Sequence, residues 1–207
     1  MNSTVKITTI AFLLASSASS LAFAADKDTD GDGVPDSAEA VLGTDPLNAD
    51  TDGDGVDDLA DDNPVMATNS LATDGAAAKF KIKELLVENN FDYAKNKDAN
   101  DHLELLVVNQ SGQSLDHFSM FYQITDKDSG KVESYMLPLS GFSIPANSES
   151  RIHVDDIGND GHFRENPNGM YRTSDAAKTF DVTLKADGFA TVTATVNKDK
   201  GGAETAD

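Results

Sequence analysis

Two acidic stretches, Asp28-Thr-Asp-Gly-Asp-Gly-Val-Pro-Asp36 and Asp50-Thr-Asp-Gly-Asp-Gly-Val-Asp-Asp58, stand 22 residues apart and spell nearly the same loop. Nothing else in the 207-residue chain restricts folding as much. Residues 26–62 hold fourteen Asp and Glu against one Lys, Lys27, so this segment carries −13 of the chain's net −20. Like charges at that density repel. The few apolar residues between them cannot offset the entropy of ordering the backbone. Such a segment is either a solvated, expanded linker or one organised by a cation. Its spacing points to the cation: carboxylates fall at loop positions one, three, five and nine, a Gly at six, and an acid at twelve. That is the ligand spacing of an EF-hand-type calcium loop.

Calcium is a hard cation that takes six to eight oxygens at once. Asp28, Asp30 and Asp32 in the first loop, and Asp50, Asp52 and Asp54 in the second, direct three carboxylates to one side. Gly33 and Gly55 at position six permit the sharp turn. Position seven, Val34 and Val56, offers a main-chain carbonyl and leaves the side chain free to pack. Asp36 and Asp58 at position nine often act through water. Glu39 closes the first shell with both oxygens, whereas Asp61, one methylene shorter, closes the second less completely. The predicted cofactor is Ca²⁺.

Between the loops, Asp36 or Ser37 is expected to cap a short helix with Ala40, Val41 and Leu42 turned inward, and Gly43 to end it. The two loops, together with Gly43-Thr-Asp-Pro-Leu-Asn48 between them, resemble bacterial thrombospondin type 3 repeats. The resemblance covers about 40 residues and implies irregular chain wrapped around calcium ions in a secreted or surface protein. It implies ligand roles for Asp28, Asp30, Asp32, Asp36 and Glu39, and for Asp50, Asp52, Asp54, Asp58 and Asp61. The animal pattern includes cysteines, and this chain has none. Without covalent staples, dependence on bound metal is expected to be stronger. A further step of 22 residues reaches Ala72-Thr-Asp-Gly-Ala-Ala77, either a decayed third copy or a chance match in an Ala-rich linker over residues 63–78.

From Phe80 the text changes. Seven strand-length apolar runs recur: Phe80–Val87, Leu103–Asn109, Phe118–Thr125, Lys131–Leu137, Ser150–Asp155, Phe180–Ala186 and Thr191–Asn197. In the last, Val192, Ala194 and Val196 alternate with Thr, a period of two. Asp126–Lys131 and Ala186–Gly188 read as hairpin tips. The predicted fold is mostly β: an antiparallel, immunoglobulin-like β-sandwich over residues 79–197, preceded by the loop-rich repeats at 25–62. The tail, 198–207, is expected to be loose.

Residues 1–24 read as a secretory signal: Lys6, a short apolar core at Ile10–Ala15, and the small-residue site Ala22-Phe-Ala24. The expected location is periplasmic or secreted, with no membrane insertion after cleavage and no lipid anchor, since there is no Cys. The acidic balance argues against nucleic acid.

The second domain holds a weaker constellation. Asp156 and Asp160 match calcium-loop positions one and five, with Glu165 one place past position nine, but Gly158 stands at position three. This loop reads as a polar end of the sandwich, with a weak calcium site or a transition-metal site on His153 and His162 as alternatives. His102 and His117 read as edge or rim residues; Phe118, Phe121 and Tyr122 read as core and sheet-face residues. No nucleophile elbow, His-Glu-x-x-His or phosphate-binding loop is present, and no enzyme activity is expected. The functional expectation is a calcium-stiffened stalk carrying a sandwich that binds an unknown protein or polysaccharide at the cell surface. A carbohydrate-binding module and a soluble calcium buffer or sensor are the alternatives.

Overall fold

The computed structural model describes residues 26–87, 102–155 and 158–200, and the backbone of residues 91–92 and 97–98. Residues 1–24, read from the sequence as a secretory signal, lie outside the described residues. Among the described residues, no helix is long and apolar enough to cross a membrane.

The second half is built from two four-stranded sheets. One orders β1 (Phe80–Leu86), β4 (Leu103–Asn109), β7 (Glu149–Asp155) and β8 (His162–Arg164) side by side. The other orders β10 (Val192–Lys198), β9 (Lys178–Ala186), β5 (Phe118–Asp126) and β6 (Val132–Leu139). Pairing is antiparallel except between β7 and β8, which run parallel. A two-stranded ribbon, β2 (Phe91–Asp92) and β3 (Lys97–Asp98), stands apart from both. All seven predicted strands are present, within two residues of their predicted ends.

Alternation places the core. Leu103, Leu105, Val107, Ile152 and Val154 face inward from the first sheet. Phe118, Met120, Tyr122, Ile124, Phe180, Val182 and Leu184 face them from the second. Phe118 meets Phe80 and Phe142 edge-on, at 5.3 and 5.4 Å between ring centroids. Burying the two inner faces is what drives a sheet pair of this kind together. The predicted hairpin tip after β5 is present: Gly130 adopts a φ of 73°, and Asp126 accepts hydrogen bonds from the Asp128 and Ser129 amides.

Four elements were not anticipated: β2, β3, β8 and the helix α2 (Met170–Thr173). β8 is only three residues long, too short to show a period. The helix α2 is a single turn, with Met170 and Tyr171 buried in the core. At the other end, Lys198 belongs to β10 and is buried, so the loose tail does not begin there. Lys200 pairs with Asp128 at 2.9 Å, and residues 201–207 lie outside the described residues.

The helix α1 (Asp36–Leu42) forms where expected and ends at Gly43, whose φ is 86°. Its orientation reverses the expectation. Val41 and Leu42 are 86% and 54% exposed, Ala40 is exposed, and the residue buried on this helix is Glu39. The N-cap is Pro35, with no side-chain cap; Asp36 uses its carboxylate elsewhere. In a segment so short of apolar surface, the carboxylates rather than the aliphatic residues set which face turns inward.

The repeats do not stand free of the sandwich. The Met136 amide on β6 donates to the Asp52 carbonyl at 2.6 Å, and the Met66 amide donates to Oδ2 of Asp52 at 2.8 Å. Asn166 and Asn168 donate through Nδ2 to the carbonyls of Gly43 and Thr44, each at 2.7 Å. Arg164 forms a two-pronged ion pair with buried Asp45. Val65 and Ala67 then bond to Ser134 on the outer side of β6. Asn69 reaches Thr183, beside Phe121, which is buried on the face of the sheet away from the core. At the third copy, Gly75 (φ 123°) lies against the backbone of Phe189, and exposed Asp74 faces Lys185 at 3.6 Å. Residues 72–77 therefore follow the turn after β9, with no gathered carboxylates.

Candidate metal centre

The two loops share one local design. In the first, Asp28 accepts the amides of Gly31 and Gly33 at 2.8 and 3.2 Å. In the second, Asp50 accepts those of Gly53 and Gly55, both at 2.9 Å. The Val34 amide donates to Asp32 and the Val56 amide to Asp54. Gly31, Gly33, Gly53 and Gly55 all have φ between 78° and 100°, which non-Gly residues rarely adopt. Each loop is thereby bent so that alternate carboxylates converge: Asp28, Asp30 and Asp32 in one, Asp50, Asp52 and Asp54 in the other.

A third set joins the copies. Asp32 of the first loop, Glu39 of α1 and Asp58 of the second loop place carboxylate oxygens within 4.8 Å of one another. Asp32 is thus common to two sets. Glu39 and Asp58 are buried. Among the described residues, the buried oxygens Oδ2 of Asp30, Oδ2 of Asp32 and Oε2 of Glu39 have no hydrogen-bond partner. Buried carboxylate oxygens without donors are costly unless a cation satisfies them. An all-oxygen donor set of this charge fits a hard divalent ion and suits calcium better than a softer metal.

Not every predicted ligand joins these sets. Asp36 accepts from the Thr29 amide and hydroxyl at 2.8 and 2.7 Å and pairs with Lys27 at 2.9 Å, so it latches the first loop shut. Asp58 makes the same latch with Thr51 while also facing Glu39. Asp61 accepts the Asn63 amide at 2.8 Å and stands outside the gathered sets. Val34 is buried and Val56 is exposed. The role of Asp58 across the two copies had no signal in the sequence, because it depends on how the repeats fold onto each other.

Of the weak second-domain calcium set, Asp160 and Glu165 join no gathered group of metal-binding side chains among the described residues. Asp156 lies outside the described residues. Asp160 is exposed, and buried Glu165 bonds to Arg172 at 2.6 Å. Sequence reading placed His102 at an edge; it meets His153 instead, Nε2 to Nδ1, at 2.9 Å. Burial, and then the neighbouring rings of His102 and His162, push His153 down to about 4. His117, by contrast, is exposed and paired with Asp116, as expected of a rim residue.

Crowding shows in the acids. Burial, with Asp30, Asp32, Asp36 and Asp58 nearby, raises Glu39 to about 7. Burial, with Asp54 and Asp61 adding to it, raises Asp52 to about 6 against two backbone hydrogen bonds that oppose the rise. Both values lie above the ordinary carboxylate range, so without metal the folded repeats gain stability as pH falls from about 7 toward 4. With metal the sign reverses, since the ion binds the ionised form. Calcium affinity is expected to fall about tenfold or more from pH 8 to pH 5.5, with proton release on binding near pH 6.5. Calorimetry in buffers of different ionisation enthalpy measures both.

The loops therefore have the donor arrangement of a calcium-binding repeat. Residues 28–49 match the family model described as bacterial TSP3 repeat, so the resemblance read from the motif is met by an independent match. A repeat of this type is a calcium-binding element, and the Asp clusters it requires are present. No curated protein matches the chain. Among solved structures, an alkylpurine DNA glycosylase, AlkC, from Pseudomonas fluorescens, bound to DNA containing an abasic site analog, is 16% identical with a TM-score of 0.28. The likeness covers 58% of this chain and 30% of that one, and bears on neither fold nor activity here.

Proposed function

We propose that this is an exported calcium-binding protein without catalytic activity, in which calcium sets the tandem repeats into a stiff base carrying a β-sandwich interaction module. The observation that carries the reading is the meeting of Asp32, Glu39 and Asp58, with buried oxygens of Asp32 and Glu39 that no protein donor serves. A cation there ties the two repeats into one unit, and folding of the segment and binding become one event. Export to the periplasm or beyond rests on the leader-like residues 1–24 and suits a site tuned to extracellular calcium. The sandwich is assigned a protein or polysaccharide partner at the cell surface. Phe118, Phe121 and Tyr122 are buried, and among the described residues the exposed large apolar side chain of the sandwich is the aliphatic Leu86, the others lying between Val41 and Met66. That composition favours testing protein partners first, since sugar platforms are usually aromatic.

Titration of the intact protein with calcium, followed by calorimetry and by protease susceptibility of residues 43–64, tests the reading. Saturable binding with protection of that segment is expected. No heat and no protection at millimolar calcium would defeat it.

The hydrogen bonds from Asn166 and Asn168 favour one second reading, a calcium sensor. They connect the turn after α1 directly to the β8–α2 passage. Hydrogen exchange there separates the two readings: calcium slows exchange in residues 162–173 for a sensor and leaves it unchanged for a passive base.

A further inference from the structure

The outer face of the first sheet carries a second set of metal-ligand groups with different chemistry. Register aligns them: Glu104 stands opposite His153, and His153 opposite His162. His102 precedes β4 at the position that faces Asp155 when this register is continued by one residue. His102, His153 and Asp155 place ligand atoms within 4.8 Å of one another. Glu104 Oε2 lies 3.4 Å from Nδ1 of His153 and 3.8 Å from Nε2 of His102, while Arg151 engages Oε1 of the same carboxylate. The ring of His162 stacks on that of His153 at 4.5 Å, with 10° between planes, and its Nδ1 lies 2.8 Å from Asp155. The three His rings, Asp155 and Glu104 are only 5–19% exposed, although they point away from the apolar core.

The geometry points to a binding site for a first-row transition metal, zinc foremost, held by Nε2 of His102, Nδ1 of His153 and the carboxylates of Asp155 and Glu104. Two ring nitrogens 2.9 Å apart share one proton when both rings are neutral. Whichever ring holds it donates it to the other, and Oε2 of Glu104 lies under 4 Å from both nitrogens. A divalent ion that displaces this proton takes up both nitrogen lone pairs, with the two carboxylates completing four bonds. Tetrahedral zinc, with bonds of about 2.0–2.2 Å to nitrogen and oxygen, sets ligand atoms about 3.3–3.5 Å apart. The separations of 2.9, 3.4 and 3.8 Å among Nε2 of His102, Nδ1 of His153 and Oε2 of Glu104 bracket that value. His162 then acts as a positioning residue, holding Asp155 as an outer partner of the ion. Imidazole selects borderline metals and is a poor ligand for calcium, so this site and the acidic loops discriminate between the two ions.

The test loads the intact protein with zinc in millimolar calcium, which saturates the acidic loops. Equilibrium dialysis should retain one zinc per chain at micromolar free metal. His102→Ala and His153→Ala should each weaken that binding at least tenfold, while His117→Ala, at an exposed rim position, leaves it unchanged. Cobalt in place of zinc should give visible absorption bands of nitrogen and oxygen ligation, lost in the His variants. A measurement on the unaltered protein guards against variants that fail to fold: zinc should shield His102 and His153, but not exposed His117, from diethylpyrocarbonate. The proposal is overturned if no zinc is retained, if the His variants bind it equally well, or if all four histidines react alike with and without zinc.

Discussion

Replacing Glu39 with Gln is expected to act in opposite directions with and without calcium. In the metal-free protein, Glu39 is a fully buried carboxyl raised to about 7 by burial and by four neighbouring aspartates. At pH 8 it is ionised in that place, which opposes folding by on the order of 3 kcal/mol. Glu39→Gln keeps the shape and removes the charge, so the calcium-free repeats should melt higher. With calcium present the same change withdraws an anionic ligand from the set that ties both repeats. Affinity should fall on the order of a hundredfold, and calcium should no longer raise the melting temperature appreciably. Thermal melts at pH 8, with calcium and with chelator, measure both arms. A variant less stable than the parent under both conditions would mean that Glu39 is an ordinary packed residue, and the metal reading of α1 would fail.

The second large effect is expected at Gly53. Its φ is 78°, and a Cβ there would overlap the carbonyl oxygen of Met136 on β6. That oxygen belongs to a sheet strand and cannot swing aside. Gly53→Ala combines a left-handed backbone penalty of about 1–2 kcal/mol with loss of the bond from the Met136 amide to the Asp52 carbonyl. A total near 3 kcal/mol or more should detach the second loop from the sandwich. Gly31→Ala provides the comparison: the same position in the first loop has a φ of 83° but nothing within 4 Å of the added Cβ. It should show the backbone penalty alone. Urea melts and proteolysis between residues 43 and 64 separate the two variants. Equal losses would show that docking on β6 contributes nothing to the repeats.

Much of this architecture was legible from residue order because short-range rules govern it. β9 and β10 alternate along their length, and sequence alternation found them. The paired loops were legible because Asp and Gly recur at fixed offsets and each loop bonds within itself. What escaped depends on distant segments. Val41 and Leu42 were expected inside on the rule that apolar residues seek burial, yet the partners waiting for α1 were Asp32 and Asp58. Asp36 fits an N-cap by residue type, but Thr29 and Lys27 claim its oxygens. His102 carries no local signal, since it meets His153 only after β4 pairs with β7. β8 and α2 are too short for any period to register.

The bonds from Val65 and Ala67 to Ser134 have a bearing on solubility. β6 is an outermost strand of its sheet, and such strands recruit other chains through their open amides and carbonyls. Here a piece of the same polypeptide already fills part of that rim, anchored just beyond the acidic loops. An ion that held those loops in place would also discourage self-templating, and molecules stripped of it would present a bare ribbon edge to one another.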